Sequence, residues 1–201
     1  ASCLRHMTDK QPDKDKILVL GGTGKTGRRV VQQLARQRVA VRLGSRSAQP
    51  PFDWDEPATW PAAFDGITSV YLSFFPDLAV PGAHDTVASF AKLAVHNGVR
   101  RLVLLSGAGE EGARVSEHAV QESGAEWTIL RSSWFSQNFS EGYLLEPVVA
   151  GEVALPVGAV TEPFVDAEDL AAVAVAAGCS IPVLGFCWRR WWALPRWGWH
   201  R

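Results

Sequence analysis

A chain of 201 residues, 47% apolar and 20% charged, can enclose one α/β core and is too short for two comfortable ones. That balance excludes a disordered or fibrous polypeptide, and a net charge of −1 with scattered basic residues excludes the basic stripe that a nucleic-acid backbone requires. The three cysteines, Cys3, Cys179 and Cys187, show neither a CxxC pair nor metal-ligand spacing, so no disulfide framework or metal site is expected and a reducing cytoplasm suits the chain.

Ala1–Lys16 is polar and lacks the apolar stretch of a signal peptide, which predicts a disordered leader over residues 1–15. Ile17–Leu20 is an apolar run that passes into Gly21-Gly22-Thr23-Gly24-Lys25-Thr26-Gly27, followed by Val30, Val31, Leu34 and Ala35 at helical spacing. This reads as strand, tight turn, helix. Further strands are expected at Val39–Leu43, Thr68–Phe74, Arg101–Leu105 and Trp127–Leu130, with helices at Pro57–Phe64, Ala83–His96 and Ala113–Ser123 between them. Parallel neighbours need crossovers and helices supply them, so the alternation predicts a Rossmann-type, doubly wound parallel sheet over residues 16–177. Past Arg131 the pattern loosens into a helical stretch over Ser133–Val149, a short strand at Val153–Leu155 and a helix over Ala167–Ala177.

The tail, residues 178–201, differs in composition, with five of the nine tryptophans, four arginines and no acidic residue. Three readings are open: a surface segment, a membrane anchor over the uncharged Leu170–Trp188, or a shifted reading frame. Gly178, Pro182 and Gly185 interrupt the apolar stretch and Leu170–Ala177 belongs to the preceding helix, which favours the frame-shift over the anchor. No membrane association is expected.

Gly21, Gly24 and Gly27 form G-x-x-G-x-x-G at a strand-to-helix junction. Glycine there permits positive φ, close backbone approach to a pyrophosphate, and tight helix-on-strand packing, while the helix N-terminus offers free N–H groups. The alternative P-loop reading of Gly24-Lys25-Thr26 fails because Val19 stands where its first glycine is needed, and no acid follows Leu105 to hold magnesium. At the end of the second strand Gly44-Ser45-Arg46-Ser47 carries no carboxylate for a ribose 2′-hydroxyl. Two hydroxyls and a guanidinium suit a 2′-phosphate, so NADP(H) is expected in preference to NAD(H).

Gly21–Gly27, Arg131–Phe139 and Pro163–Leu170 together resemble the NmrA-like, atypical short-chain dehydrogenase/reductase family. Gly44–Ser47, Phe52-Asp53-Trp54 and Thr128–Phe135 are most similar to its ergot-alkaloid (clavine) dehydrogenase group. The resemblance covers Lys16 to about Ala177, and relatives continue past Ala177, so a truncated product is a third functional reading. It implies Gly21, Thr23, Gly24, Lys25, Thr26 and Gly27 at the phosphates, Ser45 and Arg46 at the 2′-phosphate, and Asp53 and Trp54 near adenine. It further implies Ser73 and Phe74 beside the pyrophosphate or nicotinamide ribose, Ser106 and Gly107 near the nicotinamide, and Trp134, Phe135 and Asn138 toward a small organic substrate. A homodimer is compatible with this family.

One departure stands out. The Tyr-x-x-x-Lys pair is missing, since Tyr71 and Tyr143 are followed four residues on by Phe75 and Pro147. His118 is expected as the substitute proton donor, with Ser106 and Glu117 as weaker candidates. An NADP(H)-dependent oxidoreductase is therefore the first expectation, and a non-catalytic NADP(H)-sensing regulator the alternative.

Overall fold

The computed structural model describes residues 16–155, 161 and 163–178. The expected leader and the tail beyond Gly178 lie outside the described residues. Five strands, β1 (Lys16–Leu20), β2 (Ala40–Gly44), β3 (Ser69–Leu72), β4 (Arg101–Gly107) and β5 (Glu126–Ser132), form one sheet in the order β2-β1-β3-β4-β5. Every pairing in it is parallel. The chain turns one way from β1 to β2 and the other way to β3, so the carboxyl ends of β1 and β3 part over a crevice.

Alternation along the strands sorts the core into two faces. Leu18 and Leu20 of β1, Val70 and Leu72 of β3 and Leu102 and Leu104 of β4 face α3 (Ala83–His96) and α4 (Glu111–Gln121), where Val87, Phe90, Ala94 and Val120 meet them. Ile17, Val19, Tyr71 and Val103 point the other way, against Val30 and Leu34 of α1 (Gly27–Arg36) and Leu170, Ala174 and Val175 of α6 (Ala167–Gly178). A sheet covered on both faces explains why its inner strands read as unbroken apolar runs. Among the described residues, no helix is long and apolar enough to cross a membrane.

Between β2 and β3 the chain replaces a further crossover by the turn Pro57–Thr59 and the single-turn α2 (Trp60–Ala63). Aromatic contacts hold this stretch. Phe52 and Trp54 lie edge to face with ring centroids 5.0 Å apart, and both pack on Phe90, at 5.7 and 5.0 Å. The Trp60 indole N–H donates to the Asp53 carbonyl at 2.7 Å, pinning Asp53 and Trp54 beside the end of β2.

Two expectations from local pattern are corrected. Ser133–Val149 is not one helix: Trp134–Phe135 forms β6, a turn of 3-10 helix covers Ser136–Asn138, and only Leu145–Ala150 (α5) is helical. The cause is non-local, since β6 pairs in parallel with β7 (Phe164–Val165). Val153–Leu155 is not a strand, having no paired partner among the described residues.

Candidate functional site

The glycine loop is built by short-range contacts. Gly21, at φ +64°, donates its N–H to the Gly44 carbonyl at 3.1 Å, which ties the loop to the end of β2, and Gly24 donates to the Gly21 carbonyl at 2.8 Å. Gly27 packs so closely that a Cβ there would lie 2.2 Å from the Gly21 oxygen. The Thr26 side chain does not cap α1, and the N–H groups of Thr23, Lys25 and Thr26 find no acceptor among the described residues. A helix N-terminus with unpaired N–H groups is a site for an anion.

A cavity of about 1020 Å³ runs over this loop along the carboxyl edge of the sheet. Of the residues expected from sequence it brings together Gly21, Thr23, Gly24, Lys25, Thr26, Ser45, Arg46, Asp53, Trp54, Ser73, Phe74, Trp134, Phe135 and Asn138. An annex of about 270 Å³ shares Ser73, Phe74 and Phe135 with it and adds Ser106 and Gly107 at the end of β4. Gly27 lies behind the loop rather than on the wall, as its packing role requires. Arg46 is exposed at the β2 end and makes no ion pair among the described residues.

His118 is not brought to the site. The buried residues of α4 are Ala113, Ser116, Glu117, Ala119 and Val120, and His118 is exposed, lining neither cavity. Its placement on the expected helix is right and its register is wrong for proton transfer.

Three side chains on the wall have no signal in the sequence. Asp77 and Glu110 line both the cavity and the annex, and Tyr143 lines the cavity. Burial pushes the Glu110 carboxyl above its usual value, and the nearby Asp77 carboxylate adds to this. Both acids sit in connections after strand ends, where neither spacing nor a motif marks them.

A set of polar contacts straps the far wall to the glycine loop. Lys25 Nζ donates to Asn138 Oδ1, and Arg28 pairs with Glu141. Arg29, its side chain only 10% exposed, bonds Glu141 at 2.7 Å, Glu168 at 3.0 Å and the Lys25 carbonyl at 2.8 Å. Burial holds the Lys25 ammonium below its ordinary pKa, while the hydrogen bond from Arg29 holds the Glu141 carboxyl below its own. Gln137 donates to Asp166 and accepts from the Ala167 N–H, both at 2.8 Å, fixing the start of α6 against β6.

The family model described as NAD(P)H-binding matches residues 21–177, more than three quarters of the chain. The chain belongs to the NAD(P)H-binding family. The "Prestalk A differentiation protein A" of Dictyostelium discoideum is 30% identical over 174 residues, covering 78% of this chain and 57% of that protein. Festuclavine synthase II of Penicillium roqueforti is 34% identical over 181 residues, covering 79% of this chain and 61% of that enzyme. The chain thus spans about three fifths of the length of the curated relatives it matches. Among solved structures, the Citrobacter sp. triphenylmethane reductase complexed with NADP(H) superposes with a TM-score of 0.58 at 20% identity, covering 80% of this chain and 64% of that one. That likeness carries the Rossmann-type fold. The expected kinship with clavine dehydrogenases is borne out by the 34% identity to festuclavine synthase II and by 31% identity over 184 residues to agroclavine dehydrogenase of Claviceps fusiformis.

Proposed function

We propose that this chain is the cofactor-holding part of an NADP(H)-dependent oxidoreductase acting on a small organic substrate in a reducing cytoplasm. The observation that carries the proposal is the continuous cavity from Ser45 and Arg46, over the unpaired N–H groups of the glycine loop, to Trp134 and Phe135. Its volume and its polar lining suit a dinucleotide, with donors at the loop for a diphosphate. Arg46 and Ser45 would hold the 2′-phosphate, Lys25 and the Thr23–Thr26 backbone the diphosphate, and Trp54 the adenine. The bound cofactor supplies a hydride; the chain orients the reactants and keeps water away.

NADPH is expected to bind at least tenfold more tightly than NADH, a difference of about 1.4 kcal/mol, because a guanidinium forms charge-assisted bonds to a phosphate. Arg46→Ala should remove most of that preference in paired fluorescence titrations. Equal affinities for the two cofactors in the unaltered protein would end the NADP(H) assignment.

Hydride addition to a carbonyl or imine carbon leaves the oxygen or nitrogen in need of a proton. With His118 lining neither cavity, Glu110, an exposed residue on the wall shared by the cavity and the annex whose carboxyl is raised by partial burial and by Asp77, is the donor we assign. Glu110→Gln should lower kcat about 100-fold on an imine or carbonyl acceptor and leave the Kd for NADPH within about twofold. Unchanged turnover would pass the role to water. The regulator reading retains one supporting observation, the missing Tyr-x-x-x-Lys pair. It requires unequal affinities for NADP+ and NADPH without turnover, which the same titrations measure.

A further inference from the structure

Ser106 and Glu117 are buried polar side chains behind the annex, 3% and 2% exposed, and the proton path proposed above uses neither. Glu117 projects from the inward face of α4 and is gripped by Arg131 of β5. Arg131 Nε lies 2.9 and 3.1 Å from its two carboxyl oxygens, and Nη2 lies 2.6 Å from Oε2. The Ser106 hydroxyl completes the set at 2.6 Å from Oε1. A carboxylate held by a guanidinium in this way stays ionised, and the Arg131 hydrogen bonds keep Glu117 below its ordinary pKa.

An ionised carboxylate has no hydrogen to give, so Ser106 must be the donor in this bond. A serine hydroxyl has one hydrogen and two lone pairs. With its hydrogen committed inward, Ser106 offers the annex lone pairs alone. Asp77 adds a further carboxylate to the annex wall, and among the described residues no lysine, arginine or histidine lines it.

We infer that Glu117 is a positioning residue that fixes Ser106 as a hydrogen-bond acceptor for the carboxamide N–H of a nicotinamide ring. The inference rests on the NADP(H) reading. In that reading β2 holds the phosphorylated ribose and β1 the diphosphate, and the strand order then carries the other end of an extended dinucleotide past β3 to the end of β4, where Ser106 stands. A ring bearing a carboxamide satisfies the acceptor; one bearing an acetyl group in its place leaves it unpaired, and an unpaired buried group is costly.

Calorimetric titration of the full chain with NADP+ and with its 3-acetylpyridine analogue, in which a methyl group replaces the amide nitrogen, tests this. NADP+ should bind about tenfold more tightly. Ser106→Ala, which leaves the Glu117–Arg131 pair in place, should bring the ratio below about threefold. Glu117→Gln should do the same or invert it: Arg131 only donates, so the new amide must turn its oxygen to Arg131 and its NH2 to Ser106, which then donates into the annex. A merely structural role would weaken both ligands alike and leave their ratio unchanged. Equal binding of the two nucleotides by the unaltered protein, or a preserved ratio in Ser106→Ala, overturns the inference while the NADP(H) reading survives. Absence of NADP+ binding overturns both.

Discussion

Gly27→Ala should abolish cofactor binding and lower the unfolding free energy by about 3 kcal/mol. The methyl carbon would lie 2.2 Å from the Gly21 oxygen and 2.9 Å from the Gly22 Cα, so it meets backbone rather than a side chain that could turn aside. Relief then requires α1 to lift from β1 or the Gly24-to-Gly21 hydrogen bond to open. Either movement displaces the N–H groups of Thr23, Lys25 and Thr26 in the loop that lines the cavity. Gly24 makes the instructive comparison, because a Cβ there meets only the Gly21 oxygen, at 3.2 Å. Gly24→Ala should therefore cost less stability, and its effect on affinity would come from occupying ligand space. Urea unfolding with parallel NADPH titration separates the two, and wild-type stability in Gly27→Ala would show that the loop is more compliant than its packing indicates.

Arg131→Ala should lower stability near neutral pH, read as a lower urea midpoint, because it strands the carboxylate of Glu117, which is 2% exposed, with Ser106 as its remaining hydrogen-bond partner. The pH dependence has a definite sign. Arg131 depresses the folded-state pKa of Glu117, so this group's stabilising contribution is complete above the ordinary carboxylate range and disappears as pH falls through the folded value. Without Arg131, burial dominates and the folded pKa rises, which makes the variant's deficit greatest near neutrality and smaller in acid. Urea midpoints for both proteins across the acidic range measure the gap. A gap that stays constant with pH would assign the loss to packing of the Arg131 side chain instead of to charge.

The features legible in the sequence are those that local chemistry dictates. Gly21, Gly24 and Gly27 mark the loop because each meets a steric demand within a few residues, and α3 spans Ala83–His96, the bounds its apolar spacing predicts. The alternation of strand and helix sufficed for the sheet. What the sequence conceals depends on distant partners. Trp134 and Phe135 are extended because Phe164 and Val165 lie beside them, a pairing that no window around either segment contains. Arg28 and Arg29 look like a solvated basic pair until Glu141 and Glu168 arrive. His118 shows a different shortfall: one residue on a helix is a rotation of about 100°, and the stripe through Ala113, Ser116, Glu117 and Val120 already placed it off the inward face.

The order in which this molecule can be assembled follows from the reach of those long contacts. Translation delivers β1, the glycine loop and α1 before the other described elements, yet the carboxylates that restrain Arg29 come 112 residues later at Glu141 and 139 residues later at Glu168. A nascent chain that has just finished α1 thus carries its anion-binding donors on a helix with a solvated guanidinium and one uncovered apolar flank, Val30 and Leu34, which α6 covers last. Closing so long a loop is slow and entropically costly, and the reward is collected only when α6 docks. The pocket is in this sense begun by the earliest of the described elements and braced by the latest, and an arrest between them leaves the recognition loop present but unbraced.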